Sequence, residues 1–274
     1  MKNILLTGCN GFIGKKLYYH LNKKRYNLIC LNKNENLSKI ENLIKNAQLI
    51  VHLAAITNPF NKDIWKVNVS YTKILVDLAN KYNKRFIYLS TYNVTFGKDN
   101  YSKTKRISEN FIKKLKNYVI LRPNIVYGED DRYVSRLIKV IKGFPIVPIV
   151  GNGKNKIQPI YLDDLVKIIE NCIKNNKIKG IFTLSGKRSI SYNDLVNLIM
   201  NKLKINKKVM KLPIFLIKPI AFFSQNLSKT PLITTVQLNN LKFDLISDIK
   251  KIEKIFKINL KDINDGVNIL LKNE

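Results

Sequence analysis

Short apolar runs that end in turns alternate along this chain with longer stretches whose apolar residues recur every three or four positions. "NILLTG" (3–8) reads as a buried strand closing on a glycine turn. In "FIGKKLYYHLNKK" (12–24), Phe12, Ile13, Leu17, Tyr18 and Leu21 fall at helical spacing. The alternation continues with strands predicted over 26–32, 47–55, 85–91 and 118–128, and helices over 37–46, 63–82 and 101–116. Strands separated by helices predict a parallel sheet with right-handed crossovers, covered on both faces.

After about residue 128 the pattern loosens. Helical spacing returns at 132–143, 162–175, 191–203 and 247–258, while "FPIVPIVGNG" (144–153) is turn-rich. The expected fold class is α/β: a Rossmann-type doubly wound parallel sheet with a smaller C-terminal substrate-binding cap. The sheet domain is expected over 1–128, with returning segments near 157–175, and the cap over most of 129–274.

Composition narrows the class. The 274 residues are 45% hydrophobic, which predicts a folded globular protein. "MKNILL" passes straight into strand-like sequence with no cleavage site, so a cytoplasmic location is expected. The three cysteines, Cys9, Cys30 and Cys172, lack metal or redox spacing, which predicts free thiols in a reducing compartment and no metal site. The longest apolar stretch, "LPIFLIKPIAFF" (212–223), is interrupted by Lys218 and Pro219. Packing of a cap helix pair accounts for it, and no membrane partner is expected.

The formal net charge is +30, from 49 Lys+Arg against 19 Asp+Glu. The lysines are scattered through a chain rich in Asn and Ile, the signature of A/T-rich codons, and no basic stripe alternates with aromatics as single-strand binders require. The charge predicts a soft attraction to anionic ligands rather than a nucleic-acid partner.

Two local patterns carry chemistry. Gly8, Gly11 and Gly14 follow a strand and open a helix. Glycine at 8 permits the tight turn, at 11 the close approach of backbone to a pyrophosphate, and at 14 close helix–strand packing, with the N–H groups of Phe12 and Ile13 left to hold phosphate. The end of the second strand carries Asn32, followed by Lys33, in place of the usual acidic residue. An Asp there repels a 2′-phosphate, whereas Asn beside Lys accepts either ribose, so NAD and NADP both stay open with a lean to NADP. In "YSKTK" (101–105), Tyr101 and Lys105 share a helix face, and an ammonium beside a phenol favours phenolate. Thr91, at the end of the preceding strand, supplies a hydroxyl for the same substrate oxygen.

These motifs together resemble the extended short-chain dehydrogenase/reductase family of nucleotide-sugar epimerases, dehydratases and reductases. "TGCNGFIG", "VHLAA" (51–55), "VNVSYTKIL" (67–75), "STYNV" (90–94), "YSKTKRISE" (101–109) and "LRPNIVYGEDDR" (121–132) are similar to its successive motifs, and 151–165 and 182–195 to its cap motifs. The resemblance implies Thr91, Tyr101 and Lys105 as catalytic residues: Tyr101 as acid/base, Lys105 on the nicotinamide ribose and Tyr101, Thr91 polarising the substrate. It further implies cofactor contacts from Gly8, Asn10, Gly11, Phe12, Ile13, Gly14, Asn32, Lys33, Leu53, Ala54, Ala55, Asn68, Tyr101, Lys105 and Pro123. Substrate contacts would come from Thr91, Asn124, Lys154 and Lys156. His52 reads as structural. A nucleotide-activated sugar is the implied partner, and a homodimer the implied assembly.

Three departures limit the assignment. Tyr92 and Asn93 replace the Asp-Glu pair with which the dehydratase subgroup eliminates water, so a 4,6-dehydratase is not expected. Only nine residues separate Thr91 from Tyr101, which predicts a more open or differently lidded site. Ile157 stands where a basic residue commonly faces the substrate diphosphate, leaving Lys154 and Lys156 as point charges. The expected activity is an NAD(P)-dependent sugar epimerase or 4-ketosugar reductase. The alternative is a non-catalytic Rossmann-fold protein that binds RNA or a protein partner through its basic surface.

Overall fold

Five strands early in the chain make the predicted alternation real: β1 (Asn3–Thr7), β2 (Asn27–Leu31), β3 (Leu49–His52), β4 (Arg85–Leu89) and β5 (Tyr118–Pro123). In this computed structural model they form one parallel sheet with a sixth strand, Gly180–Leu184, in the order Gly180–Leu184, β5, β4, β3, β1, β2. The structure describes residues 2–32, 35–227, 233–241 and 243–272. Every residue of β3 and of β4 is buried, as a sheet covered on both faces requires, while β2, at the edge, is only half-buried. Helices α1 (Phe12–Lys23), α2 (Leu37–Asn46), α3 (Thr72–Lys81) and α4 (Asn100–Ile112) make the crossovers. Leu5, Ile50, Phe86, Tyr88 and Ile120 from the sheet pack with Ile40, Ile44, Leu75 and Ile112 from these helices. Strand order reverses between β1 and β3, the switch point at whose C-terminal ends such sheets bind ligands.

The chain divides into two compact units. The first takes Met1–Pro123, Leu162–Leu184 and Lys250–Ile258. The boundary therefore falls at Pro123 rather than after Gly128, where the predicted 118–128 strand breaks into β5 and the pair Val126–Tyr127. Arg85 ties the returning segment down: its buried guanidinium donates to the carbonyl of Cys172 in the last turn of the helix Leu162–Lys174 and to those of Asn175, Asn176 and Ile178 after it.

The second unit takes Asn124–Tyr161, Ser185–Ile249 and Asn259–Glu274. Its strand Ile146–Val150 lies in the stretch expected to be turns, and pairs in parallel with Lys208–Leu212. Asp131 caps the helix Val134–Gly143, accepting from the backbone N–H groups of Val134 and Ser135. No helix of the described residues is long and apolar enough to cross a membrane.

One expectation fails outright. Cys9 and Cys30 form a disulfide, and among the described cysteines only Cys172 is free, and buried. Parallel pairing sets Leu6 beside Cys30, which brings the turn after β1 against β2. A separation of 21 residues carries no spacing signal, so only the sheet register reveals the pair.

Candidate active site

β1 ends in a turn that only glycine can make. Gly8 has φ +77°, and a Cβ there would lie 2.7 Å from the Ala54 nitrogen. A Cβ on Gly14 would lie 1.9 Å from the Gly8 carbonyl oxygen, so α1 starts in backbone contact with the turn. Gly11, the N-cap of α1, offers no capping side chain, and the first turn holds no acid. The N–H groups of Phe12 and Ile13 thus have no side-chain acceptor from the cap, while Asn10 and Gly11 are exposed. This cradle fits a dinucleotide pyrophosphate.

Opposite the turn, Leu53, Ala54 and Ala55 continue from β3, half-buried, and Leu53 and Ala54 are held by the Thr7 carbonyl and hydroxyl. His52 is completely buried, with Nδ1 on the Thr7 hydroxyl at 2.6 Å and Nε2 on the Thr72 hydroxyl at 2.9 Å. Burial, then the nearby Lys105 charge, drives its pKa down to about 3, so the ring is a neutral brace. Asn68 sits in a π-helical turn, Lys66–Tyr71, where a plain helix was expected. Its amide grips both backbone groups of Ile56 and the Thr104 hydroxyl, so Asn68 shapes the wall behind Leu53–Ala55. Asn32 is exposed at the end of β2; Lys33 lies outside the described residues.

Thr91 follows β4 and caps the short turn Tyr92–Thr95. Its side chain is hydrogen-bonded with the Tyr101 phenol in the first turn of α4. Burial pushes that phenol up to about 12; the Thr91 bond acts against this and the Asp99 charge adds to it. The expectation that Lys105 lowers Tyr101 is thereby corrected. Lys105 is 1% exposed, donates to the Leu89 carbonyl at 2.5 Å, and lies 4.0 Å from the Tyr88 ring centroid. Its charge is spent on those partners, and burial lowers its own pKa to about 7 against the pull of Glu109.

The nine-residue excursion from Thr91 to Tyr101 is pinned rather than loose. Arg106 donates to the carbonyls of Val94 and Gly97, and Asp99 caps α4 through the Ser102 N–H and hydroxyl. A Cβ on Gly97 would lie 2.1 Å from the Ser102 hydroxyl, so the loop closes directly on the helix. Arg106 escaped the sequence reading, because nothing in the local sequence tells an anchoring arginine from a solvated one. Glu109 had a signal, the last position of "YSKTKRISE". It receives Ser90 and pairs with Arg122, joining α4 to β4 and β5 beneath Thr91.

One unit therefore brings together Gly8–Gly14, Leu53–Ala55, Asn68, Thr91, Tyr101 and Lys105, with Pro123 ending β5. Asn124, Lys154 and Lys156 belong to the other. Asn124 donates to the Leu245 carbonyl at 2.6 Å, Lys156 is exposed, and Ile157 is buried. Among the described residues no cluster of His, Cys, Asp or Glu would hold a metal ion.

Residues 1–231 match the family model of the RmlD substrate binding domain. Among curated relatives, the chain is 24% identical over 330 residues to the decarboxylating sterol-4-alpha-carboxylate 3-dehydrogenase of Dictyostelium discoideum, covering 98% of this chain and 100% of that protein. It is 24% identical over 168 residues to mitochondrial NADH dehydrogenase (ubiquinone) 1 alpha subcomplex subunit 9 of the same organism, covering 59% of this chain but spanning only 46% of that relative's length. The fold matches, with a TM-score of 0.77 and 19% identity over 100% of both chains, dTDP-4-dehydrorhamnose reductase from Bacillus anthracis in complex with NADP. Further matches are sugar-nucleotide epimerases, reductases and dehydratases, some of them solved with NAD. The chain belongs to the RmlD substrate binding domain family, within the extended short-chain dehydrogenase/reductases that act with NAD(P).

Proposed function

We propose that this chain is an NAD(P)-dependent oxidoreductase or epimerase of a nucleotide-activated sugar, with 4-ketosugar reduction or 4-epimerisation as its reaction. The observation that carries the proposal is the hydrogen-bonded pair Thr91–Tyr101, in the same unit as Lys105 and the Gly8–Gly14 cradle. Gly8, Gly11, Gly14, Phe12 and Ile13 would hold the pyrophosphate, Leu53–Ala55 would wall the site, and Asn32 would meet the adenosine ribose. A bound nicotinamide supplies hydride exchange with a sugar carbon. Tyr101 holds its proton at neutral pH and delivers it to the sugar oxygen during reduction, while Thr91 orients that oxygen. Lys105, held on the Leu89 carbonyl and the Tyr88 ring and deprotonating near neutrality, would turn to the nicotinamide ribose when the cofactor binds. Tyr92 and Asn93 offer no acid or base for removing water, which favours this reaction over dehydration.

The test is to release and identify any nucleotide from purified protein, then to assay NADPH oxidation with nucleotide 4-ketosugars. Tightly held NAD supports the epimerase. An empty protein that consumes NADPH supports the reductase. Tyr101→Phe is expected to lose about 10²- to 10⁴-fold in turnover. Full turnover by that variant overturns the mechanism, and steeply salt-dependent RNA binding without turnover favours the non-catalytic alternative. Sedimentation checks the homodimer that the resemblance implies.

A further inference from the structure

The helix Ile214–Leu227 in the second unit has two apolar faces. The inner one follows the fold: Ile214, Ile217, Ala221 and Gln225 recur at three- and four-residue intervals, Ala221 and Gln225 are buried, and Gln225 accepts from Thr235 in the neighbouring helix. The outer one was expected to be absorbed by packing, and it is not. Phe215 is 72% exposed, Phe223 62%, Ile220 58%, and Leu216 and Phe222 each 53%. At 100° per residue, Phe222, Phe215, Pro219, Phe223, Leu216 and Ile220 sweep one continuous arc of about 160°. A single exposed leucine is ordinary, but five large exposed apolar side chains on fourteen residues mark an interaction surface.

Charge decides what covers it. From Leu195 to Phe243 the sequence holds no Asp or Glu, while it holds Lys202, Lys204, Lys207, Lys208, Lys211, Lys218, Lys229 and Lys242. Lys208 and Lys211 are exposed on the strand leading into the helix, and Lys218 is exposed on the helix itself. Two copies of this face would bring like charge onto like charge, which disfavours self-association through it. An anionic lipid surface satisfies both features, taking the Phe and Leu side chains into the acyl boundary and the lysines among the headgroups. We infer that the helix Ile214–Leu227 attaches this protein to anionic membrane surfaces, lying in the interface without crossing it.

The test is co-sedimentation of the full chain with vesicles of pure phosphatidylcholine and with vesicles carrying about one third phosphatidylserine, near physiological salt. Wild type is expected to bind the anionic vesicles and to leave the neutral ones largely in the supernatant. Phe215→Ser with Phe223→Ser should lower partitioning by about tenfold or more while the melting temperature and dinucleotide binding stay unchanged. Lys211→Glu with Lys218→Glu should lower it on anionic vesicles alone. Insertion is separated from plain adsorption of a basic protein by Phe223→Trp, whose emission, compared with wild type carrying Trp65 only, should shift to the blue on anionic vesicles. Undiminished binding by the Phe double variant, or an unshifted emission from the Phe223→Trp protein, overturns the inference. So does a dimer in solution that the Phe double variant abolishes, since a second copy then covers the face.

Discussion

Replacing Lys105 by Met keeps an unbranched apolar stem and deletes an ammonium that the fold buries almost completely. Among the described residues Lys105 makes no ion pair; its direct partners are the Leu89 carbonyl and the Tyr88 ring, with the Glu109 charge farther off. A pKa that falls from 10.5 to about 7 means the folded protein disfavours the charged form by about 5 kcal/mol relative to the unfolded chain. Because the folded value is depressed, the associated stability is complete above about pH 10.5 and is lost as pH falls to about 7, below which the loss is constant. The Met variant escapes that loss, but leaves the Leu89 carbonyl without its donor, at about 1–3 kcal/mol. It should therefore be more stable than wild type by about 2–4 kcal/mol at pH 6, less so at pH 8, and level with it or below it near pH 9.5. Urea unfolding at those three pH values measures the difference, and sugar-dependent NAD(P)H turnover of the same samples should be largely abolished. A destabilised Met variant at pH 6, or a difference that does not move with pH, would show that the buried ammonium is not strained and would refute the reasoning.

Gly14→Ala sets a Cβ 1.9 Å from the Gly8 carbonyl oxygen, so the turn must open; NAD(P)H affinity by fluorescence titration should fall at least about tenfold, and unchanged affinity would remove the turn from the site. His52, ordinarily near 6.5 and held to about 3, contributes stability that is present above about pH 6.5 and lost as pH falls toward 3. The loss already reached at pH 5 is about 2 kcal/mol, and a His52→Gln protein with the same acid slope between pH 7 and 5 would contradict the neutral brace. Cys30→Ser opens the Cys9–Cys30 link across 21 residues and should cost about 3 kcal/mol in unfolding under non-reducing conditions, an effect that vanishes when both proteins are reduced.

What was legible in the sequence was local. Gly8 and Gly14 announce a turn because a side chain at either would run into backbone, and Tyr101 and Lys105 announce a shared face because a helix fixes four-residue spacing. Thr91 was found because a strand end must carry its hydroxyl upward. The direction of Lys105 was not legible: it is set by the Leu89 carbonyl and the Tyr88 ring, on strand β4 rather than on its own helix. The π-helical turn that buries Asn68 is likewise a matter of contacts with Ile56 and Thr104, not of composition. The strand Ile146–Val150 looked like turns because Pro148 and two flanking glycine positions hide a partner some sixty residues away, Lys208–Leu212. The stretch 212–223 reads as part of a packed cap helix pair, but its near-continuous apolar run does not show which side of the helix Ile214–Leu227 the fold covers.

The charge balance and the fold also fit together once the acids are located. Glu109, Asp131 and Glu170 are all buried, each serving the structure. Glu109 binds Ser90 and Arg122, and Asp131 caps a helix. Glu170 takes His20, Lys24 and Lys174, whose hydrogen bonds and charges bring its pKa to about 2 although burial opposes them. Removing the Glu109 carboxylate would leave Ser90 and the largely buried Arg122 without their acceptor, at about 3–5 kcal/mol, whereas the lysines on Glu170 are about half exposed and would return to water. The surplus of positive charge is left outside, where the Debye length is about 8 Å at physiological salt. Salt should therefore act on the two populations differently. It weakens the attraction of the surface for anionic nucleotides and headgroups, and it leaves the largely buried Glu109–Arg122 pair beneath Thr91 almost untouched.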